Sequence, residues 1–225
     1  MNERVFVISG ATGGLGRVVA GKFGALGYSL ALLGTSEPRL RGLIAELRLP
    51  AERVLAHRAD LRQEAEVKAA AAAVASRFGH VHGLIHLVGG WSGGHSLAET
   101  DPRALEDMLA QHVRTTFLML ASLVPLFQKA GWGRVIAVSS PSATEPPGQN
   151  GAYAAAKAAQ ESLILTLAAE LAGTPVTANV IQVRSIDAER TGKGTPPEEV
   201  AAAMAYLCTD EGRAVNGARI RLSSR

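Results

Sequence analysis

Residues 5–16 read VFVISGATGGLG, a short apolar run followed by a glycine-rich turn, and a helical pattern follows over residues 15–26. A dinucleotide pyrophosphate needs this order of strand, tight turn and helix, because the backbone must approach the phosphates and offer free N–H groups at a helix N-terminus. Gly10, Gly14 and Gly16 have the spacing G-x-x-x-G-x-G rather than G-x-G-x-x-G. The prediction of a dinucleotide site therefore depends on the strand-turn-helix context more than on the glycines alone.

The rest of the chain alternates short apolar runs with helical patterns. Strands are predicted at Val5–Ser9, Ser29–Gly34, Val54–His57, Gly83–Val88, Arg134–Ser139, Val176–Val183 and Ala218–Leu222. Helices are predicted at Leu15–Leu26, Glu64–Phe78, Asp101 to about Lys129 with breaks, Gly151–Leu171 and Glu198–Leu207. Continuous apolar strands between helices favour a parallel sheet that is covered on both faces. We therefore expect residues 1–225 to form one α/β domain with a doubly wound Rossmann fold and about seven parallel strands.

The composition excludes several classes of protein. The chain has 225 residues, of which 47% are hydrophobic and 19% are charged, so it is not a disordered chain, a collagen-like repeat or a disulfide scaffold. The net charge is only +3 and the signs are interspersed, so we expect no nucleic-acid partner. Arg219, Arg221 and Arg225 form a mild basic patch, which we interpret as solvated charge.

No apolar run reaches the length of a membrane span. The longest candidate, Phe117 to Phe127, has about half of that length, so we expect no membrane partner. The first residues, Met1 to Arg4, lead into an apolar strand rather than into the core of a signal peptide. The single cysteine, Cys208, forms no internal disulfide, which fits a reducing compartment. These features together predict a cytoplasmic protein.

The residues after the second and third strands bear on the choice of cofactor. Folds that prefer NAD place an acidic residue at the end of the second strand, where it binds the ribose. Here that position reads Gly34-Thr35-Ser36, and Arg39 is close in sequence. Small hydroxyl residues can accommodate a 2′-phosphate, so NADP is favoured over NAD, which stays the alternative. Asp60, after the third strand, is a candidate acceptor for the adenine amino group.

A serine, a tyrosine and a lysine make the strongest catalytic pattern. Ser140 lies at the carboxyl end of the fifth predicted strand, where ligands bind in such sheets. Tyr153 and Lys157 are four residues apart and therefore share one face of a helix. The lysine cation can lower the pKa of the tyrosine and prepare it for proton transfer. With only three tyrosines in the chain, a chance Tyr-x-x-x-Lys pair after such a strand is rare.

With these motifs, nearly the whole chain resembles the short-chain dehydrogenase/reductase family. The shared features are SGATGGLG, Ala59-Asp60-Leu61, the serines at 139–140, YAAAK at 153–157 and a C-terminal PEEVAAAMAYLC helix before a last strand. The resemblance implies that Tyr153 is the general acid/base, that Ser140 holds the substrate carbonyl oxygen, and that Lys157 binds the nicotinamide ribose and tunes Tyr153. It also implies a homodimer or homotetramer.

The chain departs from the family pattern at three places. The usual Asn-Asn-Ala-Gly after the fourth strand is His86-Leu87-Val88-Gly89, which keeps only the glycine. The usual Asn of the central helix corresponds to His112, which could hold the water of a proton relay. After the sixth strand the usual Pro-Gly corresponds to Val183-Arg184 and the usual Thr to Ala188, although Ile186 can still offer its backbone. Residues 184–197 are expected to form a lid over the substrate.

The resulting prediction is an NAD(P)-dependent oxidoreductase that reduces a carbonyl or oxidises the matching alcohol. The candidate catalytic residues are Ser140, Tyr153, Lys157 and His112. The candidate cofactor-binding residues are Gly10, Thr12, Gly14, Leu15, Gly16, Thr35, Ser36, Asp60, Leu61, Val88, Gly89, Tyr153, Lys157 and Ile186.

Two alternatives stay open. The stretch from Gly89 to Gly94 resembles a loop of the dihydropteridine reductases, and Trp91 could stack on a flat ring. That branch lacks the serine and prefers NADH, which argues against a pterin reductase. The second alternative is a regulatory protein that binds the dinucleotide without turnover.

His80, His82 and His86 lack a fourth ligand at useful spacing, so no metal site is expected.

Overall fold

A computed structural model describes residues 4–222 and contains one parallel sheet of seven strands in the order β3-β2-β1-β4-β5-β6-β7. The strands are β1 Val5–Ser9, β2 Ser29–Gly34, β3 Val54–Arg58, β4 Gly83–His86, β5 Gly133–Ser139, β6 Val176–Val183 and β7 Arg219–Leu222. The predicted fold class is confirmed. The fourth strand ends two residues earlier than predicted, because His86 pairs with Ser9, which is the last residue of β1. Arg225 and Met1 to Glu3 lie outside the described residues.

Seven α-helices lie within the described range, and one of them was not predicted. They are α1 Gly14–Ala25, α2 Glu37–Leu47, α3 Glu64–Phe78, α4 Pro102–Met108, α5 Thr115–Ala130, α6 Gly151–Glu170 and α7 Pro197–Leu207. The unpredicted helix, α2, has a charged sequence with only two fully buried side chains, Leu40 and Leu43. A proline in its first turn favours its start, and contact of the two leucines with the sheet stabilises it.

The two faces of the sheet are covered by different helices. Phe6 and Ile8 of β1 pack with residues of α1, α2 and α7. Val5 and Val7 of the same strand point to the other face, where α3, α5 and α6 pack. Side chains alternate between the faces of a strand, so an unbroken apolar strand supplies both layers. Burying each such side chain contributes about 1.5–3 kcal/mol.

The central helical region contains a wide turn that the sequence did not predict. Asp101 caps its start by accepting a hydrogen bond from the backbone N–H of Arg103, at 2.9 Å, as the Asp-Pro pair predicted. Between α4 and α5 the backbone forms a π-helical turn at Leu109–Arg114. Such a turn inserts an extra residue and changes which side chain faces inward. His112 lies in this turn and is fully buried.

The order of the strands places a crevice beside the carboxyl ends of β1 and β4. The chain moves outward from β1 to β2 and β3, and it then returns to the other side of β1 with β4. The connections therefore diverge at this point, which is where ligands bind in open α/β sheets. Within residues 4–222, no helix is both long and apolar enough to cross a membrane.

Candidate active site

A groove with two compartments follows the carboxyl edge of the sheet. The outer compartment, of about 610 Å³, lies at the ends of β1, β2, β3 and β4. The inner compartment, of about 320 Å³, lies between the ends of β5 and β6 and the helix α6. Both are lined by Leu87, Val88 and Gly89, so they form one continuous groove. A ligand could therefore extend from the glycine-rich turn to the predicted catalytic residues.

The glycine-rich turn at the outer compartment has no room for side chains at two positions. Gly10 has a φ of 71°, and a Cβ there would lie 3.0 Å from the backbone carbon of Leu87. A Cβ on Gly16 would lie 2.4 Å from the Gly10 carbonyl oxygen and 2.6 Å from that of Ala11. No side chain caps the start of α1, so the N–H groups of its first turn are left for a ligand. This cradle fits an anionic phosphate group.

Asp60 lies at the outer compartment beside an arginine. Thr35 and Asp60 line the compartment, as does Arg62, whose Nε and Nη2 donate to the Asp60 carboxylate at 2.9 and 2.7 Å. This bond to Arg62 lowers the pKa of Asp60. The carboxylate is thus already paired, and an adenine amino group would have to share it with Arg62.

Three of the four catalytic candidates, His112, Tyr153 and Lys157, line the inner compartment. Tyr153 and Lys157 line it from α6, and the Lys157 Nζ lies 5.9 Å from the centre of the Tyr153 ring. Ser140 is almost fully buried, and its hydroxyl forms a hydrogen bond with the Ser142 hydroxyl at 3.2 Å. Burial raises the pKa of Tyr153, while a hydrogen bond with Ser140 lowers it. The expected lowering by Lys157 is therefore not the dominant effect here.

Lys157 is a buried cation with two acceptors. Its Nζ donates to the Val138 carbonyl oxygen at 2.8 Å and to the Gln160 Oε1 at 2.9 Å. Burial lowers the pKa of Lys157 to about 7, although Glu161 opposes the change. Lys157 can therefore lose its proton near neutral pH, unlike an exposed lysine.

His112 projects from the π-helical turn towards Tyr153. Its ring lies edge-on to that of Tyr153, with the centres 5.7 Å apart, and its Nε2 donates to the Gly90 carbonyl oxygen at 3.0 Å. The Nδ1 is buried without a protein partner. Burial lowers the pKa of His112 to about 4, and the Lys157 charge adds to this. A neutral ring with a free acceptor nitrogen can hold a water molecule.

His86 takes part in a second buried polar group at the end of β4. Thr115 donates its hydroxyl hydrogen to the Gln111 carbonyl oxygen at 2.6 Å, so its oxygen can only accept from His86 Nε2, at 3.3 Å. The His86 Nδ1 then accepts from the Ser9 hydroxyl at 2.8 Å. Burial lowers the pKa of His86 to about 3. One neutral tautomer therefore satisfies this whole group.

Trp91 forms a fixed wall of the inner compartment. Its indole N–H donates to the Asn150 Oδ1 at 2.9 Å, while 66% of the residue is exposed. A Cβ on Gly93 would lie 2.8 Å from the Trp91 ring. The ring is held at one end and exposed on the rest, so it is available to a flat apolar group.

The predicted lid lies between β6 and α7. Ile186 pairs with Thr195 in an isolated bridge, and the Asp187 carboxylate accepts from the N–H groups of Thr191 and Gly192 at 2.7 Å each. Ala188 lies against the glycine-rich turn, since a Cβ on Gly14 would approach its Cβ to 2.8 Å. The loop is therefore internally braced and touches the cradle of the outer compartment.

The groove collects most of the candidate site residues. Those that line it are Gly10, Thr12, Thr35, Asp60, Leu61, Val88, Gly89, His112, Tyr153, Lys157 and Ile186. Those that do not are Gly14, Leu15, Gly16, Ser36 and Ser140. Sequence reasoning missed Arg62, Asn150 and Gln160. Only the position of Gln160, three residues after Lys157 on the same helix, offered a signal.

The histidines of residues 80–86 do not form a cluster. The rings of His80 and His82 are 6.2 Å apart, and His86 lies at the other end of β4. The His82 Nδ1 accepts from the backbone N–H of Val5 at 3.0 Å. In the part of the chain that the structure describes, no three His, Cys, Asp or Glu side chains are placed to hold a metal ion.

Known proteins share both the sequence pattern and the fold. Residues 4–199 match the family model described as short chain dehydrogenase. D-threitol dehydrogenase of Mycolicibacterium smegmatis is 28% identical over 239 residues, which cover 97% of this chain and 90% of that protein.

Two solved structures extend the likeness to three dimensions. Levodione reductase matches with a TM-score of 0.91 and 25% identity, over 99% of this chain and 96% of its own. A 3-ketoacyl-(acyl-carrier-protein) reductase of Brucella melitensis, described as complexed with NADH, matches with a TM-score of 0.89 over 97% and 96% of the two chains. At 24% identity, the second comparison shows the fold alone.

Proposed function

Because the chain belongs to the short-chain dehydrogenase/reductase family and is an NAD(P)-dependent oxidoreductase of that family, we propose that it interconverts a carbonyl compound and its alcohol with Tyr153 as general acid/base. The observation that carries this proposal is the single groove that joins the glycine-rich turn to Tyr153 and Lys157. A dinucleotide placed along it would bring its reactive ring beside the phenol.

The residues of the outer compartment fit a dinucleotide. Gly10, Gly16 and the uncapped start of α1 would hold the pyrophosphate, and Val88, Gly89 and Ile186 would border the ring that reacts. When bound, the nicotinamide supplies or accepts the hydride. The six strands from β1 to β6 all end at this groove, which supports one domain for cofactor and substrate.

NADP is the cofactor that we propose, with NAD as the alternative. Thr35 is exposed at the end of β2, and β2 contributes no carboxylate to the outer compartment. A carboxylate at this place would repel a 2′-phosphate, whereas a hydroxyl can donate to it. Arg39 is exposed in the first turn of α2 and could approach the same phosphate.

In the reducing direction, Tyr153 would donate its proton to the carbonyl oxygen. Burial favours the protonated phenol, and the hydroxyl of Ser140 would donate to the same oxygen after leaving Ser142. The Lys157 cation favours the phenolate that forms, and its free N–H would hold the ribose of the cofactor. His112, through its unpartnered Nδ1, would hold a water from which Tyr153 regains its proton.

A flat-ring substrate is the second possibility that an observation favours. The fixed and exposed Trp91 ring borders the inner compartment and supports stacking, as in the pterin alternative. Ser140 lies beside Tyr153, however, and this favours general carbonyl reduction over a branch that lacks the serine. A binding protein without turnover is less well supported, because the serine, tyrosine and lysine lie together.

We also propose a homodimer or homotetramer with a cytoplasmic location. Leu105, Leu109 and Phe117 expose apolar side chains along the helical region from α4 to α5, and Phe117 is 56% exposed. A second copy that covers this face would bury them. Cys208 is fully buried, and burial raises the pKa of its thiol, so it stays reduced and unreactive in a reducing compartment.

The test is a fluorescence titration of the protein with NADPH and NADH, followed by a panel of ketones, aldehydes and diketones. We expect tighter binding of NADPH and turnover of at least one carbonyl. Gly16→Ala should weaken binding of both cofactors at least tenfold, since its Cβ meets backbone oxygens. Gly21→Ala on the same helix is the control, because a Cβ there meets nothing within 4 Å. Equal loss in both variants, or no binding by the wild type, would contradict the proposal.

A further inference from the structure

We propose that Gln160 is a positioning residue that holds the Lys157 ammonium in the inner compartment by linking it through hydrogen bonds to the helical region around His112. The inference rests on the proposed role of Lys157, and it adds a residue that neither the glycine-rich turn nor the serine-tyrosine-lysine pattern contains. Gln160 reaches no part of the groove itself, so it acts through Lys157.

The contacts form one buried series of hydrogen bonds from α6 to the π-helical turn. Lys157 Nζ donates to Gln160 Oε1 at 2.9 Å, and Gln160 Nε2 donates to Thr116 Oγ1 at 3.0 Å. Thr116 in turn donates its hydroxyl to the His112 carbonyl oxygen at 2.6 Å. Lys157 is 4% exposed, and the other three residues are fully buried.

The hydrogen bond from Thr116 to the His112 carbonyl oxygen determines the orientation of the Gln160 side-chain amide. A hydroxyl has one hydrogen, and Thr116 uses it on the His112 carbonyl, so the Thr116 oxygen can only accept from Gln160. The Gln160 NH₂ group must then face Thr116, and its carbonyl oxygen must face Lys157. The reversed amide would place NH₂ against NH₃⁺ and leave donors unpaired in the interior.

This arrangement leaves one donor of Lys157 for the groove. The ammonium has three N–H groups, of which Val138 and Gln160 accept two. Among the described residues, Gln160 is the one side chain that accepts from Lys157. Its oxygen stabilises the charged form of an ammonium that burial destabilises.

Other ionisable groups near Lys157 do not replace this contact. On α6 these are Tyr153 and Glu161, and the Glu161 carboxylate accepts from Gln182 at 2.8 Å and from Arg219 at 2.6 Å. From the π-helical turn and β4, His112 and His86 face the lysine, and both have a pKa far below neutrality. They are therefore neutral when Lys157 titrates.

Two substitutions with opposite expected effects on the pH midpoint for loss of the Lys157 proton test the proposal. Gln160→Met keeps the size but removes the acceptor, so the midpoint for loss of the Lys157 proton should fall by about one pH unit. Gln160→Glu adds a carboxylate, so the midpoint should rise by at least as much. Thr116→Val leaves the Lys157 contact in place but frees the amide, and it should lower the midpoint by less than Gln160→Met does. Thermal unfolding of each variant reports whether it folds.

The midpoint is measured in two ways. The first is the alkaline limb of kcat/KM for carbonyl reduction at saturating cofactor, with the fastest carbonyl of the panel. The second is competitive acetylation of Lys157 by acetic anhydride over pH 5 to 10, read by mass spectrometry, which needs no turnover. Opposite shifts in the methionine and glutamate variants support the proposal. Unchanged midpoints, or shifts in the same direction, overturn it, because a purely structural role of Gln160 predicts no change of sign.

The two measurements also separate this proposal from the proposed function. If the wild type turns over no carbonyl but the acetylation midpoint moves as expected, Gln160 positions Lys157 and the proposed reaction is wrong. If turnover is found and neither midpoint moves, the reaction stands and the role of Gln160 is rejected.

Discussion

The two ends of the sheet each contain a buried cation, and the two cations have different hydrogen-bond acceptors. At the amino end, Arg134 is 2% exposed and donates to the carbonyl oxygens of Gly133, Pro175 and Thr209. At the carboxyl end, Lys157 is 4% exposed and has two acceptors, one of them the side chain of Gln160. Burial lowers the pKa of both.

The chemistry of the two side chains explains the difference. A guanidinium keeps its charge at every physiological pH and has five donors in a rigid plane, so it suits a permanent cluster of carbonyl groups. Trp132 lies between Arg134 and Arg4, which are 4.1 and 3.9 Å from its ring centre. An ammonium loses its proton more readily, so Lys157 suits an end of the sheet where protons must move. The cation at the amino end therefore suits a structural role, and the cation at the carboxyl end suits the proposed reaction.

The largest effect is expected from Tyr153→Phe at the carboxyl end. It removes the proposed proton donor and keeps the ring, so turnover should fall by at least about 10³-fold, within the range for general acid–base catalysis. The affinity for NADPH and the thermal midpoint should stay close to those of the wild type. Steady-state kinetics with a cofactor titration checks this, and a fully active variant would remove Tyr153 from the mechanism.

At the amino end, Arg134→Met should change stability and leave turnover intact. The substitution leaves three carbonyl oxygens without their donor, and we expect a loss of about 3 kcal/mol in the free energy of unfolding. Urea denaturation measures the loss, and kcat/KM below the unfolding transition should stay within twofold of the wild type.

The control for Arg134→Met is Arg4→Met, because Arg4 also contacts the Trp132 ring. Arg4 contacts the ring and pairs with the exposed Asp210, so its loss should cost about 1 kcal/mol or less. If the Arg4 variant were as unstable as the Arg134 variant, the ring contact rather than the three carbonyl groups would account for the stability of this end.

The effect that is smallest at neutral pH is the pH dependence of stability at the carboxyl end. The pKa of His86 is lowered by burial to about 3 from an ordinary value of 6.5, so below pH 6.5 the unfolded chain binds a proton that the folded one excludes. Stability is therefore complete above pH 6.5 and declines as the pH falls towards 3, by about 1.4 kcal/mol per pH unit for one such proton.

His86→Asn removes this group and should flatten the decline. The comparison is between the unfolding free energies of the variant and the wild type at pH 7, 6, 5 and 4, where the carboxylates and His112 contribute equally to both. A variant with the same slope as the wild type would show that His86 titrates normally, and that the buried group of Ser9, His86 and Thr115 opens before unfolding.

Much of the fold could be predicted from the sequence because the signals are local. An apolar strand, the Asp101-Pro102 helix start and the glycine-rich turn each reflect a constraint on a few neighbouring residues. The helix α2 could not be predicted so easily, because it is stabilised by the contact of its two buried leucines with the sheet, which a local sequence pattern does not reveal. The pairing of Asp60 with Arg62 likewise depends on side-chain conformations that spacing does not determine.

The sequence by itself determined the parallel sheet and the presence of Tyr153 and Lys157 on one face of a helix, since both follow from periodicity. Only the tertiary structure decided which groups surround the lysine. The π-helical turn carries His112 to the tyrosine, and the packing of α5 against α6 brings Thr116 within 3.0 Å of Gln160. Such contacts join residues 44 positions apart in the chain, and burial, which also depends on packing, lowers the pKa of Lys157 to about 7.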